Sequence, residues 1–273
     1  MLRFGGNVMG FNLVNYFARN ADNILVGRFI GAEGLGLYSK AYSLFLMPLQ
    51  QVRGPLVDVA MPALSALKDQ PERFARYYAH LVDSVSMLSV PLAMYSLVQA
   101  EFLVQLLLGP KWKGVVPVFR ILAIAGLVQA ADGTRGVVFL SLGRSKRHFR
   151  WGLANSAVMV CAFLLGLPFG IVGVAVAYAV AVYVVLLPSP YYCFHGTPVS
   201  VSLFMRALAP SLLCVAPAAL AAVGVTWIVR DGGLWAGIAS SMVFAVIYCG
   251  LAATRRSVRE KVGLAFAQLR SRA

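Results

Sequence analysis

Charge is scarce in this chain. Asp, Glu, Lys and Arg make up 12% of its 273 residues, and only ten residues are acidic. Globular domains carry about twice that charged share. With 60% hydrophobic residues and a mean hydropathy of +0.77, the chain has too much apolar surface to hide from water. A water-soluble fold is excluded, and the solvent must be a membrane.

Other shortages remove further classes of function. The four cysteines, Cys161, Cys193, Cys214 and Cys249, stand singly among apolar neighbours, without a C-x-x-C pair or a Cys/His cluster. That pattern suits small buried hydrophobes, not a disulfide framework or metal centre. His80, His148 and His195 are far apart in sequence. No Walker A sequence is present to cradle ATP, and no serine sits in a G-x-S-x-G context. Gly31, Gly34 and Gly36 lack the dinucleotide spacing and follow an apolar span, so they read as a tight turn. No metal, no cofactor and no enzymatic activity are expected.

What is abundant is long apolar sequence. A helix needs about 20 apolar residues to cross a bilayer. Eight candidates fit, at roughly 7–29, 38–61, 80–107, 116–141, 151–169, 171–190, 207–229 and 234–252. The fifth and sixth are joined only by Pro168–Gly173, a helical hairpin with almost no loop. The expected fold class is therefore all-α, a polytopic transmembrane helix bundle of about eight spans.

Net charge is +14, which could suggest nucleic acid. The cations lie instead in short loops between spans, so no nucleic-acid partner is expected. One family of span ends holds fifteen of the 24 Lys and Arg, including Lys68, Arg73, Arg76, Arg144, Lys146, Arg147 and Arg150. The opposite loops hold three, Lys111, Lys113 and Arg230. The positive-inside rule then puts both termini in the cytoplasm. Residues 63–79 and the basic tail 253–273 read as soluble. Each is a candidate amphipathic helix on anionic lipid headgroups.

The polar residues inside the spans carry the functional signal. Asn12, Asn15, Arg19, Asp22 and Asn23 fall within about 100° of arc on one helix. On the second span Gln50, Gly54 and Asp58 share a side with Ser39 and Ser43, and prolines recur at 48, 55 and 62. The fourth span carries Gln129, Asp132 and Arg135 at i, i+3 and i+6. Spans five to eight contain almost no charge. Such residues must face protein or water, because a charge facing lipid costs several kcal/mol. They are either neutralising pairs that hold helices together or the lining of a hydrophilic cavity for a polar or anionic cargo. The number of polar residues favours the cavity.

Three stretches carry a family resemblance. NYFARNADNILVGRFIGAEGLGLYSKAYSL, VRGPLVDVAMPALSALKDQPERFARYY and PLAMYSLVQAEFLVQLLLGPKWKGVVPVFRILA together resemble the Wzx-type polysaccharide flippases, the WzxC kind above all. These belong to the multidrug/oligosaccharidyl-lipid/polysaccharide exporter superfamily. The match is carried by Asp22, Gly27, Gly31, Gly36, Tyr38, Tyr42, Pro62, Arg73, Tyr77, Gly109, Trp112 and Pro117. The likeness is strong to about Gly143 and rests on hydropathy beyond it.

Such flippases have fourteen spans, and this chain resembles the last eight. The resemblance implies a six-helix lobe over 1–190, two additional helices over 191–252 and the tail 253–273. It implies a missing N-terminal lobe, or a second copy, that completes the cavity. The cargo would be an oligosaccharide on undecaprenyl diphosphate, flipped across the bacterial inner membrane. Arg19, Arg53 and Arg135 would meet the diphosphate, and Asn12, Asn15, Asn23, Gln50 and Gln129 the sugars. Asp22, Asp58 and Asp132 would bind the coupling proton or sodium ion. The competing readings are a small-solute or drug exporter of the same superfamily, a membrane-embedded glycan polymerase or transferase, and a truncated remnant without transport. The short external loop at 109–116 argues against the enzyme.

Overall fold

The computed structural model describes residues 20–229 and 233–255. Asn12, Asn15, Arg19 and most of the basic tail lie outside the described residues. Among those described there is helix and turn, with no strand.

Helix α1 is described over 20–29 and turns at Gly31, whose φ of 103° suits a residue without a Cβ. Helix α2 then runs Ala32–Ala66 without interruption, despite Pro48, Pro55 and Pro62 inside it. Helix α3 (Pro71–Val98) starts with proline at its first position, where the missing N–H costs nothing. It continues after Gln99 into α4 (Ala100–Leu108). Helix α5 (Val115–Asp132) is followed by α6 (Arg135–Ser141), α7 (Ser145–Gly166), α8 (Gly170–Leu186), the short α9 (Pro188–Phe194), α10 (Val201–Ile228) and α11 (Gly233–Thr254). Seven of the eight expected spans correspond to a helix or a broken pair of helices, and the first, 7–29, is described only from residue 20. By length and composition, five stretches among the described residues could cross a membrane. They are Pro71–Val98, Val115–Ser141, Ser145–Leu186, Val201–Ile228 and Gly233–Thr254, and the third contains both arms of the α7–α8 hairpin.

One expectation fails. Residues 63–79 are not a surface segment, because α2 and α3 run through them and leave only 67–70 as a turn. Phe74 and Tyr78 are fully buried, and the Tyr78 hydroxyl meets that of Thr134 at 3.0 Å. The polar residues between them mark helix ends whose charges stay exposed while the aromatic face is packed.

Helices α3 and α5 form the centre of the bundle. Their membrane-length windows are 56% and 61% buried, against 33% and 28% for α10 and α11. Packing in hydrocarbon gains from close approach of backbones, so small residues sit at the contacts. A Cβ on Gly126 of α5 would stand 2.1 Å from Cζ of Phe45 on α2. At the α7–α8 hairpin a Cβ on Gly166 would lie 2.6 Å from the Gly173 carbonyl oxygen. Helices α10 and α11 are tied on through polar contacts. Arg255 bonds Asp83, and the Tyr248 hydroxyl donates to the Met87 carbonyl.

Candidate functional site

The centre of interest is the break between α5 and α6, at Gly133 and Thr134. The N–H of Val137 turns back to the Thr134 carbonyl at 3.1 Å, which leaves the Gly133 carbonyl without its usual helical donor. Arg53 of α2 supplies one, donating from Nη2 at 2.8 Å. Arg135 donates from Nε to the Asp132 carbonyl at 2.9 Å and pairs with the Asp132 carboxylate. Two arginines thus satisfy a helix end inside the bundle.

Arg53 also lines a cavity of about 580 Å³ between α1, α2, α5, α7 and α8. Asp22, Gln50 and Gln129 line it too. Asp22 is 2% exposed; its carboxylate accepts from the Tyr38 hydroxyl at 3.3 Å and the Asn23 N–H at 2.8 Å. Among the described residues no cation comes within ion-pair distance of it. The Gln129 side-chain N–H donates to the Tyr178 hydroxyl, and its carbonyl oxygen is buried without a partner among the described residues.

The cavity's two ends differ in charge. At one end Asp22 sits beside Tyr42 and Tyr178, and the Tyr178 ring stacks on Phe163 with centroids 5.9 Å apart. At the other end stand Arg53 and His148, both against the α5–α6 break. His148 lies beside Gly136, where a Cβ would come 3.1 Å from its ring, and its Nδ1 is buried without a partner among the described residues. From His148 to Phe163 along α7 is about 22 Å at 1.5 Å per residue.

Asp22, Gln50, Arg53 and Gln129 are therefore brought together. Asp132 and Arg135 pair with each other beside the cavity and do not line it. Asn23 is half-buried and Asp58 exposed, and neither lines it. Sequence reasoning missed His148, Asn155, Ser156, Tyr42 and Tyr178. The α7 contribution was readable as a stripe. His148, Gly152, Asn155, Ser156, Met159 and Phe163 recur at spacings of 4, 3, 1, 3 and 4, one face of a helix.

Comparison with known proteins agrees with this architecture. Residues 1–117 match the family described as Polysaccharide biosynthesis protein. The teichuronic acid biosynthesis protein TuaB of Bacillus subtilis is 26% identical over 224 residues, 82% of this chain and 46% of that protein. The lipopolysaccharide biosynthesis protein WzxC of Escherichia coli is 24% identical over 165 residues, 60% of this chain and 34% of that protein. The chain is thus similar to proteins of polysaccharide biosynthesis. It spans about half or less of the length of these curated relatives. In fold it resembles the lipid II flippase MurJ in an inward closed conformation. The TM-score is 0.67 at 11% identity, covering 93% of this chain and 55% of that one. The apolar helices and this likeness together make it a multi-pass membrane protein with a MurJ-like fold.

Proposed function

We propose that the chain forms one lobe of a flippase that carries undecaprenyl-diphosphate-linked oligosaccharide across the bacterial inner membrane. The observation that carries this reading is a cavity with the Arg53 cation at one end, the Asp22 acid at the other and neutral amides between. A lipid-linked sugar has the matching order of groups: an anionic diphosphate followed by neutral hydroxyls. Arg53, with Arg19 from outside the described residues, would hold the diphosphate, while Gln50 and Gln129 bind hydroxyls. Asp22 would bind the coupling proton or sodium ion, since secondary transport needs such a group at depth. Arg135 and Asp132 would keep the α5–α6 break in shape.

In this reading both termini are cytoplasmic, so the Arg53–His148 end opens toward the cytoplasm, where lipid-linked sugars are assembled. Helices over 1–190 would form the lobe, α10 and α11 an added hairpin, and the basic tail a contact with anionic lipid. A second lobe, on a longer chain or a second copy, would close the open side of the cavity.

The test is complementation of an exporter-deficient strain, with surface polysaccharide as readout. Arg53→Gln should abolish export while the protein stays in the membrane at normal level. Export unchanged by both Arg53→Gln and Asp22→Asn sinks the cavity as cargo path.

A further inference from the structure

Helix α7 contains a glycine that the protein's own packing does not require. Gly152 lies in the second turn of a 22-residue helix, where glycine is less favourable than alanine. Some helical glycines here have a visible cause, whereas Gly36, Gly54, Gly152, Gly224 and Gly250 meet open space. Gly126 admits the Phe45 ring, Gly166 admits the Gly173 backbone, and Gly237 admits the Phe102 ring at 2.2 Å. A Cβ on Gly152 would meet nothing within 4 Å. Of the described glycines, only Gly152 lines the cavity.

Its neighbours on the same face are neutral hydrogen-bonding groups. Asn155 and Ser156 follow by three and four residues, and Gln50 of α2 and Gln129 of α5 stand on other walls. The Arg53 guanidinium stands toward one end with the His148 ring, and the aromatic rings of Phe163 and Tyr178 lie further along. This middle section offers amides, a hydroxyl and a recess with no formal charge. That chemistry suits a neutral polyol and is a poor match to a phosphate.

We propose that Gly152, Asn155 and Ser156 form a specificity wall that reads the sugar next to the diphosphate, with Gly152 as the recess into which the ring fits. This rests on the cavity reading above and adds the position of the sugar. The recess makes α7 a size filter. Any side chain at 152 occupies the space of the sugar, while the phosphate end at Arg53 and His148 is untouched. Ring substituents pointing at α7 are read by Asn155 and Ser156.

The test uses the full chain in lipid nanodiscs and two probes, a prenyl diphosphate and the same lipid bearing one hexose. Gly152→Leu should weaken the hexose-bearing probe at least about tenfold, as filling a fitted pocket does. It should leave the bare prenyl diphosphate within about twofold. Gly152→Ala, which can only favour the helix, should show a smaller loss of the same kind and guards against a folding failure of the leucine variant. Equal binding of the hexose probe by wild type and both variants overturns the recess but leaves the cavity reading standing. Equal loss of both probes by a folded variant overturns the sugar assignment. A wild-type chain that binds neither probe overturns the cavity reading and the proposal with it.

Discussion

The Arg53 guanidinium and the Gly133 carbonyl meet at 2.8 Å across eighty residues of sequence. The contact joins a cavity wall to the interruption between α5 and α6. It gives one arginine two tasks, satisfying a helix end and presenting a cation to the cavity.

Those tasks separate by substitution. A Cβ on Gly133 would stand 2.6 Å from Cζ of Arg53, so Gly133→Ala must displace the guanidinium without removing its charge. Gly133→Ala is expected to lower export about tenfold or more while the cation remains in the chain, because misplacement by an ångström is enough to spoil binding geometry. Arg53→Lys should fall equally short, since a point charge cannot hold the carbonyl and an anion in one fork. Export assays on the two variants at matched expression check this. Full activity of Gly133→Ala would separate the carbonyl contact from cargo binding.

Asp83 and Arg255 make the second such link. Their side chains are 11% and 14% exposed, and Arg255 also reaches the Ser211 hydroxyl at 3.3 Å. Removing one partner of a buried pair leaves an uncompensated charge, at a cost of about 3–5 kcal/mol. Asp83→Asn and Arg255→Gln should each lower the detergent melting temperature markedly, and the double variant should lose less than the two singles combined. Additive losses in that double-mutant cycle would show that the pair contributes no coupling.

The α7–α8 hairpin offers a contrast between two glycines of one helix. Gly166→Ala pushes a methyl against the Gly173 backbone, which cannot rotate away as a side chain could. An overpacked contact costs about 1–3 kcal/mol. Gly152→Ala meets open space, so its thermal stability should equal or exceed that of wild type. Melting curves of the two variants in one detergent decide the matter.

Much of this arrangement was readable before the structure. Pro168–Gly173 announced the hairpin by its brevity, and Asp22, Gln50, Arg53 and Gln129 stood out because polar groups in apolar spans need partners. The reading failed where it weighed charge alone. Asn155, Ser156 and Tyr178 are neutral, and Gly152 has no side chain to notice, so α7 was passed over as a span with almost no charge. Asp132 and Arg135 stood out for the same reason, yet their spacing of three lets them pair with each other. At 63–79 exposed cations hid two buried aromatics, because long helices carry charge beyond the packed layer.

Asp22 yields the sharpest separation of structure from transport. Its carboxylate is buried, accepts from Tyr38 and from a backbone N–H, and faces the cavity. Asparagine has the same shape; its oxygen can accept the Asn23 N–H, and the Tyr38 hydroxyl can turn to accept from its NH2. Asp22→Asn should therefore fold with stability within about 1 kcal/mol of wild type, the worth of a typical hydrogen bond. Alanine leaves the Tyr38 hydroxyl buried without its acceptor, which costs about 1–3 kcal/mol. If the carboxylate serves only the fold, function should follow stability, with Asn active and Ala impaired. If it binds the coupling ion, both variants must lose gradient-driven movement of cargo, since neither carries a charge. Everted vesicles with an imposed proton or sodium gradient measure that movement. A stable Asp22→Asn protein that no longer responds to either gradient assigns the carboxylate to coupling; one that responds normally assigns it to the fold.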